Sequence, residues 1–175
     1  LYVDEVLSLR AENPDMPIRL GIEADYFPEC EAELAAQIAR APFDYVIGSV
    51  HYQKVTRARQ QRILTDAAFW DWPIDSPDPA DQEEWLRHEV NQVWREYLGQ
   101  MRLCAQSGLF HVIGHADLPK KFGNRPHGDF TAEYRETAQA FARAGVIVEL
   151  NTSGIRQPVA EIYPSMPFLR ELRAA

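Results

Sequence analysis

Cysteine is scarce in this sequence: Cys30 and Cys104 are the only two among 175 residues, isolated and without C-x-x-C spacing. That argues against a disulfide framework and for a reduced, cytoplasmic setting, with both thiols expected inside helices as small apolar fillers. Long apolar runs are missing as well. Nothing approaches the ~18 consecutive apolar residues of a membrane span, and no signal-peptide pattern opens the chain, so no membrane partner is expected. Basic residues are outnumbered, 18 Lys and Arg against 26 Asp and Glu, for a formal net charge of −8. An acidic surface repels phosphodiester backbones and disfavours nucleic acid as a partner. It leaves room for a small phosphorylated substrate, which needs only a local cluster of cations. Internal repeats, low-complexity segments and linkers are also lacking, so the chain reads as one domain, 1–175, with enough residues for a sizeable core. Its oligomeric state is left open.

What is present is a regular alternation of helical and strand patterns. Residues 2–11 form a short amphipathic helix, punctuated by Asn13-Pro14. Residues 18–25 (IRLGIEAD) read as a buried strand, 29–40 as a helix, and 45–51 (YVIGSVH) as a second strand. Residues 53–77 are less regular and read as a long functional loop over one face. Asp78-Pro79 starts a helix, with Leu86, Val90, Val93, Trp94, Tyr97, Met101 and Cys104 on one face and Gly108 as its C′ residue; its length suggests two pieces. Residues 110–115 (FHVIGH) form a third strand, a helix from Phe130 closes at Gly145, and 146–151 (VIVELN) form a fourth. The order α-β-α-β-loop-α-β-α-β-α, with strands as continuous apolar runs, means right-handed βαβ units and a parallel sheet or barrel: an α/β fold.

In such folds the chemistry sits at the C-terminal ends of the strands. Those ends carry Glu23 and Asp25, His51, His115 and Asp117, and Asn151. Glu23, His51 and His115 form a glutamate and two-histidine set suited to catalytic zinc or iron, with positions left for water. A lone histidine at a strand end is more often a hydrogen-bonded structural residue than a ligand; three acceptable ligands on consecutive strands are less easily accidental, and spacing alone leaves both readings open. Cations follow the third and fourth strands. Arg156 is read as a bidentate phosphate partner, while Lys120 is assigned to solvent. His88 is expected to be solvated and His111 structural, with His127 undecided. Tyr26, Trp70, Trp72 and Phe122 are candidates for shaping a pocket, although core packing is the commoner role.

Four segments, GIEADY (21–26), FDYVIGSVHY (43–52), IGHADLPKKFG (113–123) and ELNTSGIRQPVAEIYPS (149–165), together resemble the histidinol-phosphatase branch of the polymerase-and-histidinol-phosphatase (PHP) family. The resemblance implies a distorted seven-stranded (β/α) TIM-like barrel with two or three divalent ions, zinc, iron or manganese, at the strand C-termini. It implies hydrolysis of L-histidinol phosphate in histidine biosynthesis. Carried over residue by residue, Glu23 matches a metal-bridging glutamate, and His51 and His115 match metal ligands. Asp117 matches an acid behind the ligands that holds a ligand or a lysine. Arg156 matches a phosphate-binding arginine and Lys121 a second cation of that kind. The family's opening H-x-H and closing D-x-H are not in this sequence, so a partial barrel, missing its first and last strands and inactive alone, is expected. Two alternatives remain: another PHP phosphoesterase, or a metal-free binding module of the same fold.

Overall fold

The computed structural model describes residues 1–54 and 72–175. Four parallel strands form its centre in the order β1 (Gly21–Asp25), β2 (Tyr45–Ser49), β5 (Val112–Ile113) and β6 (Ile147–Val148). Each lies beside the next in sequence, apart from a small antiparallel pair, β3 (Tyr52–Gln53) and β4 (Trp72–Pro73), inserted just after His51. Helices α1 (Tyr2–Glu12), α2 (Glu31–Ile38), α3 (Pro79–Glu84), α4 (Val90–Gln106), α5 (Thr131–Ala144) and α6 (Met166–Ala174) accompany them, with short 3-10 turns between. The α/β class and the parallel β/α units are therefore as the sequence predicts. Among the described residues, no helix is long and apolar enough to cross a membrane.

The strands are shorter than their apolar runs. At the first, the Asp44 carboxylate takes the backbone N–H of Leu20 at 2.7 Å, so the regular ladder starts only at Gly21. At the fourth, the chain leaves β6 so that Asn151 can bridge antiparallel to Tyr163. The 29–40 helix is split: Pro28–Cys30 is a 3-10 turn, and Cys30 is exposed there, against expectation, whereas Cys104 is buried as expected.

The long helical pattern after Asp78 does break. Asp78 caps α3 by accepting from Ala80 N. A 3-10 turn over Trp85–Arg87 follows, and then Glu89 caps α4 by accepting from the N–H groups of Asn91 and Gln92. The turn rotates Leu86 off the apolar face, leaving it 86% exposed. From α4, Trp94, Tyr97, Leu98, Met101 and Cys104 lie fully buried in the core shared with β2, β5 and α5. Burial of each large side chain is worth roughly 1.5–3 kcal/mol, so α4 anchors the scaffold that holds the strand ends. Gly108 and Gly145 take positive φ where α4 and α5 end, as left-handed closures require. Most of the 53–77 loop, including Trp70, lies outside the described residues. Tyr26 and Trp72 belong to the core rather than to a pocket.

Candidate metal centre

Side chains alternate along a strand, so Glu23 and Asp25 of β1 point to one face, and Ser49 and His51 continue that face on its neighbour. The parallel register sets Asp25 beside Ser49. Ser49 Oγ donates to Glu23 Oε1 at 2.6 Å, and His51 Nδ1 meets Asp25 Oδ1 at 2.5 Å. Gly114 makes this approach feasible, since a Cβ there would come within 2.7 Å of Ser49 Oγ. His115 enters from the end of β5, with Nε2 3.2 Å from Glu23 Oε1. His51 Nε2 lies 3.8 Å from the same oxygen, and the two rings are 4.9 Å apart.

One ligand atom from each of Glu23, His51 and His115 lies within 4.8 Å of the others. This is the spacing that a single ion with ~2.0–2.2 Å bonds to nitrogen and oxygen can draw together. Two imidazoles and one carboxylate are also the right donors for a zinc-like ion, and Glu23, its side chain 47% exposed, leaves the site open to further ligands. The residues present therefore fit a divalent ion.

The electrostatics agree with that chemistry. The hydrogen bond from His115 holds the Glu23 carboxyl down at about 2; burial opposes this, and the Ser49 hydroxyl and both imidazoles add to it. Glu23 is therefore an anion at neutral pH. Burial works against a charged His51 ring, but the Asp25 carboxylate outweighs it, with Asp75 and Glu23 behind, and the His51 pKa is raised. Metal binding at His51 would displace that proton.

Around these three, the backbone is tightly held. His51 O accepts from Ile74 N at 3.0 Å, tying the β3–β4 pair to the ligand strand. His115 N donates to Glu149 Oε2 at 3.0 Å, and His115 O accepts from Tyr97 OH at 3.2 Å. Glu149 and Asp75 were not singled out from sequence. Glu149 had a signal, an acid inside an apolar strand run; Asp75 had none beyond its place after an irregular stretch.

Asp117 does not join the ligand atoms. It is fully buried, with Oδ2 2.9 Å from Lys120 Nζ and accepting from Ser165 N at 2.7 Å. Holding a lysine is one of the two roles the resemblance implies for it. Lys120 overturns the solvent assignment: it is 1% exposed, its ammonium also donating to Ile162 O at 2.7 Å and pairing with Glu161 at 3.3 Å. The 157–165 segment folds back over the turn after β5, and so covers a residue that the sequence places on a surface.

Lys121, next along the 3-10 turn Leu118–Phe122, instead reaches Asp75, donating to its backbone oxygen at 3.0 Å and its carboxylate at 2.9 Å. Arg156 ends the 3-10 turn Ser153–Arg156, exposed and with no hydrogen-bond or ionic partner among the described residues. Gly154 in that turn packs so closely on Glu161 O and the Tyr163 ring that a Cβ would collide with both.

The other histidines divide. His111 is structural as expected, its Nδ1 accepting from Val46 N at 3.1 Å. His88 is not solvated: it stacks on Trp72 at 4.9 Å and sits 3.1 Å from the buried Glu84. His127 is exposed and meets Asn91 through its backbone.

A parallel β/α sheet with a glutamate and two histidines converging at its C-terminal rim defines a class, the β/α proteins able to carry a divalent ion at the strand ends. The PHP domain profile matches residues 2–153, and the chain belongs to that family. A probable histidinol-phosphatase of Deinococcus radiodurans is 35% identical over 172 residues, covering 97% of this chain and 58% of its own. A candidate histidinol phosphatase of Listeria monocytogenes shares the fold, with a TM-score of 0.78 at 17% identity over 99% of this chain and 65% of that one. Histidinol phosphate phosphatase of Lactococcus lactis subsp. lactis Il1403, solved with zinc, L-histidinol and phosphate, superposes with a TM-score of 0.67 at 25% identity, over 98% of this chain and 58% of that one. The chain thus spans 58% to 65% of the lengths of these relatives.

Proposed function

We propose that this chain is part of the catalytic domain of a histidinol-phosphatase, a phosphoric monoester hydrolase that cleaves L-histidinol phosphate to L-histidinol and phosphate. The observation that carries the reading is the convergence of Glu23, His51 and His115, three residues from three successive strand ends, within 4.8 Å. Its support in chemistry is the relative solved with zinc, L-histidinol and phosphate. In this reading residues 1–175 belong to one domain, Glu23, His51 and His115 hold a divalent ion, and a complete site takes two or three ions of zinc, iron or manganese. A bound divalent ion supplies Lewis acidity and lowers the pKa of coordinated water towards ~7.

The chain's own residues do the rest. Glu23 contributes negative charge, and it is already ionised at neutral pH. His51 and His115 would contribute imidazole nitrogens, which bind metal through the neutral ring. Arg156, unpaired among the described residues and set on a tight turn beyond β6, offers its fork to two phosphoryl oxygens. Lys121 adds a second cation, directed by Asp75. Asp117 acts from behind by fixing Lys120 under the segment that follows Arg156.

The test is phosphate release by the full-length protein, loaded in turn with zinc and with manganese, from L-histidinol phosphate and from unrelated phosphomonoesters. Metal-dependent turnover that prefers L-histidinol phosphate is expected. Equal turnover of every monoester would move the reading to another PHP phosphoesterase. Undiminished activity after chelation would remove the metal centre.

A further inference from the structure

Asp25 lies outside the ligand set, yet it makes the shortest side-chain contact at the rim that involves a ring nitrogen. The sheet register explains how. Glu23 lies beside Ile47 and Asp25 beside Ser49, and each acid bonds the side chain two residues beyond its register partner: Glu23 to Ser49, Asp25 to His51. The two contacts form a ladder of equal offset across β1 and the end of β2, so the backbone pairing itself delivers Asp25 to His51.

An imidazole has two ring nitrogens and can present either one to an ion. The His51 ring is 25% exposed, so packing alone does not choose between its two faces. Nδ1 is committed to Asp25 Oδ1 at 2.5 Å, which leaves Nε2 as the nitrogen 3.8 Å from Glu23 Oε1. His115 lacks such an arrangement: its Nδ1 is buried with no hydrogen-bond partner among the described residues.

We propose that Asp25 is a positioning residue that holds the proton of His51 on Nδ1 and directs the Nε2 lone pair into the centre. This rests on the reading that Glu23, His51 and His115 bind a divalent ion. Carboxylates that accept from the outer nitrogen of a ligand histidine fix its tautomer and strengthen it as a donor. With only one of the two imidazoles supported in this way, His51 is the stronger of the pair, and the site's affinity depends on Asp25 although Asp25 touches no ion.

The experiment measures zinc affinity by competition with a chelating dye, and the visible spectrum of the cobalt-loaded protein, in the full-length parent, Asp25→Asn and Asp25→Ala. Circular dichroism and thermal melting of the metal-free proteins confirm folding. Asp25→Ala is expected to weaken zinc binding by about 10–100-fold with the number of bound ions unchanged. Asp25→Asn, whose carboxamide oxygen still accepts from Nδ1–H, should recover part of that loss and keep the parental cobalt band shape. Zinc affinity of Asp25→Ala within about twofold of the parent would overturn the role. Loss of one bound ion in both variants would make Asp25 a ligand instead and overturn it equally. A parent that binds no zinc would take down the metal reading itself, and this inference with it.

Discussion

Two acid clusters flank the end of β5, two residues apart in sequence, and they are built in opposite ways. Around His115, Glu23 faces two imidazoles and a hydroxyl, remains 47% exposed, and has no fixed cation among the described residues. Around Asp117, the carboxylate is fully buried against the Lys120 ammonium and a backbone N–H, with Glu161 on the far side of the lysine. Burial pushes the Asp117 carboxyl up despite the opposing ammonium, whereas hydrogen bonds pull Glu23 down. An acid that is to hold a metal must be anionic yet uncommitted, so hydroxyl and imidazole donors suit it. An acid that is to hold a loop must be committed, so a buried cation suits it. The same carboxylate group is thus left open on one side of a strand end and closed on the other.

The closed cluster should be the more costly to break. Lys120→Met leaves Asp117 uncompensated in a dry site, and the loss should be about 3–5 kcal/mol by urea unfolding. Replacing both partners, Asp117→Asn with Lys120→Met, should cost clearly less than the sum of the single changes. A single-variant loss below about 1 kcal/mol would show that the pair is not closed and erase the contrast.

Next in size is Arg156. Arg156→Ala in the full-length protein should lower kcat/KM by about 10²–10³, with bound metal unchanged. Arg156→Lys should recover only part, because an ammonium keeps the charge and loses the fork. Metal lost together with activity would place Arg156 in the open cluster instead.

The open cluster should respond in affinity rather than in folding. His115→Ala should cut zinc affinity by more than the ~100-fold upper range of outer-partner effects, while metal-free stability shifts by about 1 kcal/mol or less. A large loss of metal-free stability would make His115 a structural histidine.

The smallest expected effect is acid titration of the metal-free protein. The Glu23 pKa is lowered from 4.5 to about 2 on folding, so its stabilisation is complete above 4.5 and fades as pH falls through about 2. Glu23→Gln should therefore narrow its stability gap to the parent across that window, and solvent screening keeps the gap small. A gap that widens on acidification would contradict the sign.

Much of this was legible in the residues. Apolar runs ending in acids or histidines marked the strands and placed Glu23, His51 and His115 at one rim, because parallel β/α connections return every strand in the same direction. Asp78, Gly108 and Gly145 announced helix ends through local backbone chemistry that needs no distant partner. Lys120 and Lys121 were not separable in this way. They are adjacent in one 3-10 turn, and which of them is buried depends on where residues 157–165 cross, some forty positions later in the chain. Leu86 and His88 escape sequence reading for a related reason: the 3-10 turn before the Glu89 cap leaves one outside the core and the other stacked on Trp72. Sequence determined which residue types stand at the strand ends, since that follows from periodicity within a few residues. Only the tertiary structure decided which charges are free and which are closed, because burial and pairing belong to segments that meet in space without being neighbours in the chain.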